Sequence, residues 1–144
     1  GQEELKSFAE RWKEDRLVMD MWFRAQVACA NPHDAAAIAN NLSRHEAFDW
    51  KNPNRFRAVF GALAVNHAGF NAANGKGYDL MADWLIKLDP FNPQITARVS
   101  GSFQSWTRYD EDRKAKAKAA LLRIKDTPKL SRDTTEMVTR LLAK

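Results

Sequence analysis

Metal-assisted hydrolysis needs clustered imidazole and carboxylate ligands, typically two histidines one helical turn apart. The three histidines, His33, His45 and His67, are far apart and form no such pair. His45-Glu46 opens like a His-Glu-x-x-His sequence, but Asp49 stands where the second histidine belongs. Cys29 lies in the most apolar part of the chain and lacks the flanking features of a nucleophile, so a buried structural thiol is expected. Gly75-Lys76-Gly77 has no Walker spacing and follows no predicted strand; a turn with left-handed glycines is expected there. Arg113-Lys114-Ala115-Lys116-Ala117-Lys118 is basic enough to suggest nucleic acid. On a helix, however, its charges spread over more than one face, just behind Asp110, Glu111 and Asp112, which reads as a solvated face. No catalytic residue and no metal ligand is assigned.

Two asparagine-proline segments carry more information: Asn52-Pro53-Asn54-Arg55-Phe56-Arg57 and Asn92-Pro93-Gln94-Ile95-Thr96-Ala97-Arg98. In each, the Asn side chain can accept from the orphan donors of a helix start, and Pro takes the first helical position, where its missing N–H costs nothing. The starts lie roughly 40 residues apart, the period of HEAT and armadillo repeats, and Val59 with Val99 and Gly61 with Gly101 match at the same offset. Arg57 and Arg98 sit in apolar surroundings. Such a guanidinium either closes a structural ion pair or faces a cavity holding an anionic or carbonyl ligand. Physics alone favours the ion pair.

The elements that position these residues are predicted to be helices throughout. The 144 residues, 44% of them hydrophobic and five of them Trp, fit one domain with a core of its own. A net charge of +5 is too modest to imply a polyanionic partner. One Cys excludes an intramolecular disulfide, and no apolar run approaches the roughly 18 residues of a membrane span. The chain opens Gly1-Gln2-Glu3 without Met, as expected of a cloning scar or of a cut inside a longer protein.

Helical spacing puts Leu5, Phe8, Ala9 and Trp12 on one face of a helix from Glu3 to Lys13. A second helix, Arg16 to Ala30, contains Leu17-Val18-Met19-Asp20-Met21-Trp22-Phe23, apolar on almost every side and so expected to be covered all round. Asn31-Pro32 starts a short helix through Leu42, and Phe48 and Trp50 anchor the following loop. The first Asn-Pro helix is expected to run to about Val65. The next, Tyr78 to Leu88, buries Leu80, Met81, Trp84, Leu85 and Leu88, and the second Asn-Pro helix runs to Trp106. Asp110 and Ser131 are the expected caps of the last two helices.

From about Glu4 to Leu142 the chain resembles the C-terminal helical domain of bacterial aminopeptidase N, a zinc metallopeptidase family of the alanyl aminopeptidase type. The resemblance rests on Leu17-Val18-Met19-Asp20 with Trp22-Phe23, Asn52-Pro53-Asn54-Arg55 with Arg57, Gly75, Gly77 and Tyr78, Asn92-Pro93-Gln94 with Arg98, and Arg108-Tyr109-Asp110 with Arg113. It implies an all-α, HEAT/armadillo-like superhelix of antiparallel helix pairs, residues 1–144 forming a single domain at the end of a larger cytoplasmic enzyme. That enzyme joins an N-terminal β domain, a thermolysin-like catalytic domain holding zinc and its glutamate base, a small β domain and this superhelix. The implied partners are those domains of the same polypeptide and peptide substrates, with no nucleic acid and no membrane. The helical domain, inactive alone and without a cofactor, is implied to close over the active site and line an internal cavity. By position Gln94 lies near the pocket for the substrate's N-terminal side chain, Arg98 reaches towards the primed side of the peptide, and Arg57 and Asn54 line the cavity. Val99-Ser100-Gly101-Ser102 is more polar than the family pattern and places the packing beyond Arg98 in question. The competing class is a free-standing basic helical-repeat module that binds protein or nucleic acid.

Overall fold

The computed structural model describes the backbone of residues 2–144, with the side chains from residue 13 onward and those of residues 7, 10 and 11. The apolar face expected of Leu5, Phe8, Ala9 and Trp12 lies outside the described side chains. Helix α1 runs unbroken over Gln2–Ala28, where two helices were expected. The reason is local: Lys13-Glu14-Asp15-Arg16 contains neither Gly nor Pro to stop it. After α2 (Ala35–Ser43), Asn52 accepts from the N–H groups of Asn54 and Arg55 and starts α3 (Pro53–Phe56). This helix continues through a π turn at Arg57–Gly61 into α4 (Ala62–Val65), and α5 (His67–Phe70) follows at once.

Helix α6 (Lys76–Leu88) buries Met81, Leu85 and Leu88, while Leu80 and Trp84 are half-buried against the same core. Asn92 accepts from Ile95 N–H and starts α7 (Pro93–Ser100). This helix stops earlier than expected: it tightens into 3₁₀ turns at Gly101–Phe103 and Trp106–Arg108. The polar run noted in the sequence is the site of that break. The Ser100 hydroxyl turns back to the Thr96 carbonyl at 2.7 Å, and the buried Ser102 hydroxyl has no protein partner. Asp110 and Ser131 cap α8 (Glu111–Lys125) and α9 (Arg132–Leu142) as expected.

Helix α2 packs on α6, α6 on α8, and α7 on α9, so first helices stack on first helices and second helices on second. This is the all-helical armadillo-like arrangement, and no strand occurs among the described residues. Aromatic rings fill the core. Phe23, Phe56, Phe60 and Phe70 are fully buried, and Phe70 meets Tyr78 and Phe103 edge-on at 5.2 and 5.0 Å.

The glycines of the 75–77 turn do different work. Gly75 takes the expected left-handed conformation at φ 73°. Gly77 does not; it lies inside α6, where a Cβ would overlap the backbone oxygen of Phe70. Only the missing side chain allows that approach. Gly77→Ala is therefore expected to cost about 1–3 kcal/mol by overpacking. Gly101→Ala, at φ −60° with nothing within 4 Å of the added carbon, should be neutral or slightly stabilising. Urea unfolding of both variants checks the contrast.

Candidate functional site

Asn54 and Gln94 sit in the first turn of an Asn-capped helix, whereas Arg57 opens the π turn after α3 and Arg98 lies in the last turn of α7. On α3, Asn54 is exposed and accepts a hydrogen bond from the Arg57 guanidinium at 3.0 Å. Asn54 also borders a cleft of about 250 Å³ formed with Lys13, Leu17 and Arg55 of the α1–α3 junction. On α7, Gln94 and Arg98 are both exposed and stand at i and i+4, positions that share a helix face. Among the described residues Arg98 makes no ion pair and no side-chain hydrogen bond. The structure thus groups Asn54 with Arg57 and Gln94 with Arg98, and no hydrogen bond joins the two groups.

The structural ion pair expected of Arg57 or Arg98 is made by neither. Arg55 takes that role. Its Nε lies 2.5 Å from Asp20 Oδ1, a second nitrogen donates to the Ala47 carbonyl, and the guanidinium lies over the Phe23 ring at 5.1 Å. Both partners are buried. The only signal in the sequence was a lone acid, Asp20, inside an apolar run. Arg57 and Arg98 retain unengaged donors, as a group that meets a carbonyl or carboxylate from outside must.

Two further expectations are corrected. Cys29 is exposed rather than buried, because it follows α1 on the side that no described element covers. The same side exposes Leu17, Val18, Met21 and Trp22, so α1 is covered on one face only, not all round. The basic run on α8 is also more than a solvated face. Arg113 Nε donates to the Asn71 carbonyl and Lys116 Nζ to the Ala73 carbonyl, both at 2.8 Å, which ties α8 to the loop before α6. Behind that loop, burial pushes the Tyr78 hydroxyl up to about 12, and it donates to Asn71 Oδ1 at 2.7 Å. Its role is to hold the loop. Among the described residues no three His, Cys, Asp or Glu side chains group closely enough to hold a metal ion. No described helix is long and apolar enough to cross a membrane.

Known proteins are similar to this chain in sequence and in fold. The profile of the DUF3458_C family, described as a domain of unknown function with ARM repeats, matches residues 1–143. The chain is 37% identical over 139 residues to aminopeptidase N of Caulobacter vibrioides and 35% identical over 140 residues to aminopeptidase N of Escherichia coli. Each match covers 96% of this chain but 16% of the relative. Among solved structures it superposes on Legionella pneumophila aminopeptidase A in complex with aspartic acid with a TM-score of 0.81 and 32% identity, over 96% of this chain and 16% of that one.

Proposed function

Because the chain belongs to the DUF3458_C family of ARM-repeat domains, we propose that residues 1–144 form a single helical domain at the carboxyl end of a zinc-dependent aminopeptidase N of the alanyl type. In this reading the parent polypeptide removes N-terminal residues from peptides in the cytoplasm. Zinc and the catalytic residues belong to another domain, where the metal would activate a water and polarise the scissile carbonyl. This domain closes over the active site and supplies lining residues only. The observation that carries the reading is the match of nearly the whole chain to a sixth or less of two aminopeptidases. The exposed Arg98 gives it a residue-level role. Its planar guanidinium can donate two parallel hydrogen bonds to a peptide carbonyl or terminal carboxylate, and Gln94 one turn earlier can offer both a donor and an acceptor to the same ligand.

The competing module that binds nucleic acid would need a free cationic stripe. Two cations of the α8 run are held by the chain's own carbonyls, and a third, Lys114, pairs with Glu111 at 2.9 Å. That disfavours the stripe. The test is made on the purified 144-residue chain: it should carry no stoichiometric zinc and release no amino acid from an alanyl or arginyl anilide. Turnover that survives repurification and is abolished by a chelator would contradict the assignment.

A further inference from the structure

Of the nine asparagines, only Asn74 is followed by glycine, whereas Asn31, Asn52 and Asn92 are followed by proline. The difference is chemical. A glycine nitrogen is shielded by no side chain, so it can reach the side-chain carbonyl carbon of the asparagine before it. Proline has no N–H and cannot make that attack.

The structure separates Asn74 from the asparagines nearest to it in sequence. Asn66 donates from Nδ2 to the Val27 and Ala30 carbonyls and accepts from Gly69 N–H. The buried Asn71 donates to the His67 carbonyl and accepts from the Tyr78 hydroxyl. Both amides are held at each end. Asn74 is exposed: its Oδ1 accepts from Lys76 N–H at 2.9 Å, but its Nδ2 has no hydrogen-bond partner among the described residues. What holds Asn74 back is the backbone. The nucleophile, Gly75 N–H, is donated to the Ala72 carbonyl at 3.1 Å. Lys116 fixes that turn from α8. Its Nζ donates to the Ala73 carbonyl at 2.8 Å, and its stem packs so close to Gly75 that an added Cβ would meet Lys116 Cδ at 2.8 Å.

We propose that Asn74 is a self-modification site, converted in place to aspartate and isoaspartate at a rate set by the Lys116 clamp on its loop. In the first step Gly75 N gives its proton to solvent and bonds to Asn74 Cγ. The bond from Cγ to Nδ2 breaks, and Nδ2 takes up a proton and leaves as ammonia. Water then opens the resulting five-membered imide. Attack at Cγ leaves aspartate; attack at the main-chain carbonyl leaves isoaspartate, whose main chain is longer by one carbon. Both reacting groups lie in one loop, so the step is intramolecular and needs only water. The aspartate keeps the oxygen that accepts from Lys76 N–H. The isoaspartate inserts its carbon just ahead of α6, where Gly77 already leaves no room for a Cβ against the Phe70 oxygen, and so loosens the start of that helix. None of this depends on the aminopeptidase reading.

The test is to age the complete polypeptide in mildly alkaline buffer and follow the tryptic peptide of residues 58–76 by mass spectrometry, with isoaspartate counted by a methyltransferase specific for it. Asn74 should convert first, while Asn66 and Asn71 of the same peptide stay intact. Lys116→Ala frees the loop and should speed the conversion about 3- to 10-fold, the worth of one hydrogen bond in the local opening equilibrium. Lys116→Arg, which keeps a donor for the Ala73 carbonyl, should restore the slow rate. Conversion of Asn66 or Asn71 ahead of Asn74, or a Lys116→Ala rate equal to that of the unaltered protein, overturns the proposal. Equal speeding of Asn54 and Asn74 in Lys116→Ala would mean that the whole fold had loosened, and overturns it too.

Discussion

Asp20→Ala is expected to lower the stability of the fold by about 3–5 kcal/mol, the usual loss when one partner of a buried ion pair is removed. The side chains of Arg55 and Asp20 are only 10% and 12% exposed, so water does not rescue the orphaned guanidinium. Arg55 would keep the Ala47 carbonyl and the Phe23 ring, but neither offsets its charge. The double replacement Asp20→Leu with Arg55→Met removes both charges at similar volume and should recover most of the loss. Urea unfolding of the three proteins decides the point. A loss below about 1 kcal/mol in the single variant would place the pair with ordinary surface salt bridges.

Asp89→Ala should have an effect of similar size, about 3–5 kcal/mol, from charge-assisted hydrogen bonds lost and donors left unpaired. Asp89 Oδ1 accepts from the hydroxyls of Ser131 and Thr134, each at 2.6 Å, and Oδ2 accepts from Ser131 N–H at 2.7 Å. Asp89 is 2% exposed and Thr134 fully buried, so the freed donors would find no water in place of the carboxylate. The damage should be regional, since Asp89 joins the loop before α7 to the start of α9. Hydrogen exchange is expected to speed up across residues 132–142 and to leave residues 53–65 unchanged. Equal acceleration throughout would show that Asp89 holds the whole fold and not this junction.

The two Asn-Pro starts are legible in the sequence because capping is local: a side chain bonds to donors two or three residues away and Pro marks the first turn. The third repeat starts at Ser131, close to the same period, but without a proline to announce it. Its anchor, Asp89, repeats Asp49 at the same offset, yet Asp49 is exposed and the corresponding junction is made by Trp50 against Phe91 at 5.1 Å. Similar letters thus serve different contacts. The Arg55–Asp20 pair spans 35 residues and leaves no periodic trace. Nor could the apolar count of residues 17–23 tell a covered side from an uncovered one, because coverage depends on which neighbours the chain supplies. The candidate site divides the same way. Helix position placed Gln94 and Arg98 on one face, whereas which arginine is engaged internally was decided by tertiary contacts.

Steady-state kinetics of the full-length Arg98→Ala variant test whether Arg98 meets the peptide substrate of a complete aminopeptidase. With peptides KM should rise about 10- to 100-fold, the worth of a hydrogen bond to a charged group, while kcat changes little because that contact binds ground state and transition state alike. A single-residue anilide, which does not extend so far, should be hydrolysed at nearly the normal rate. Equal losses on peptide and anilide would contradict the claim and make Arg98 a residue of the fold alone.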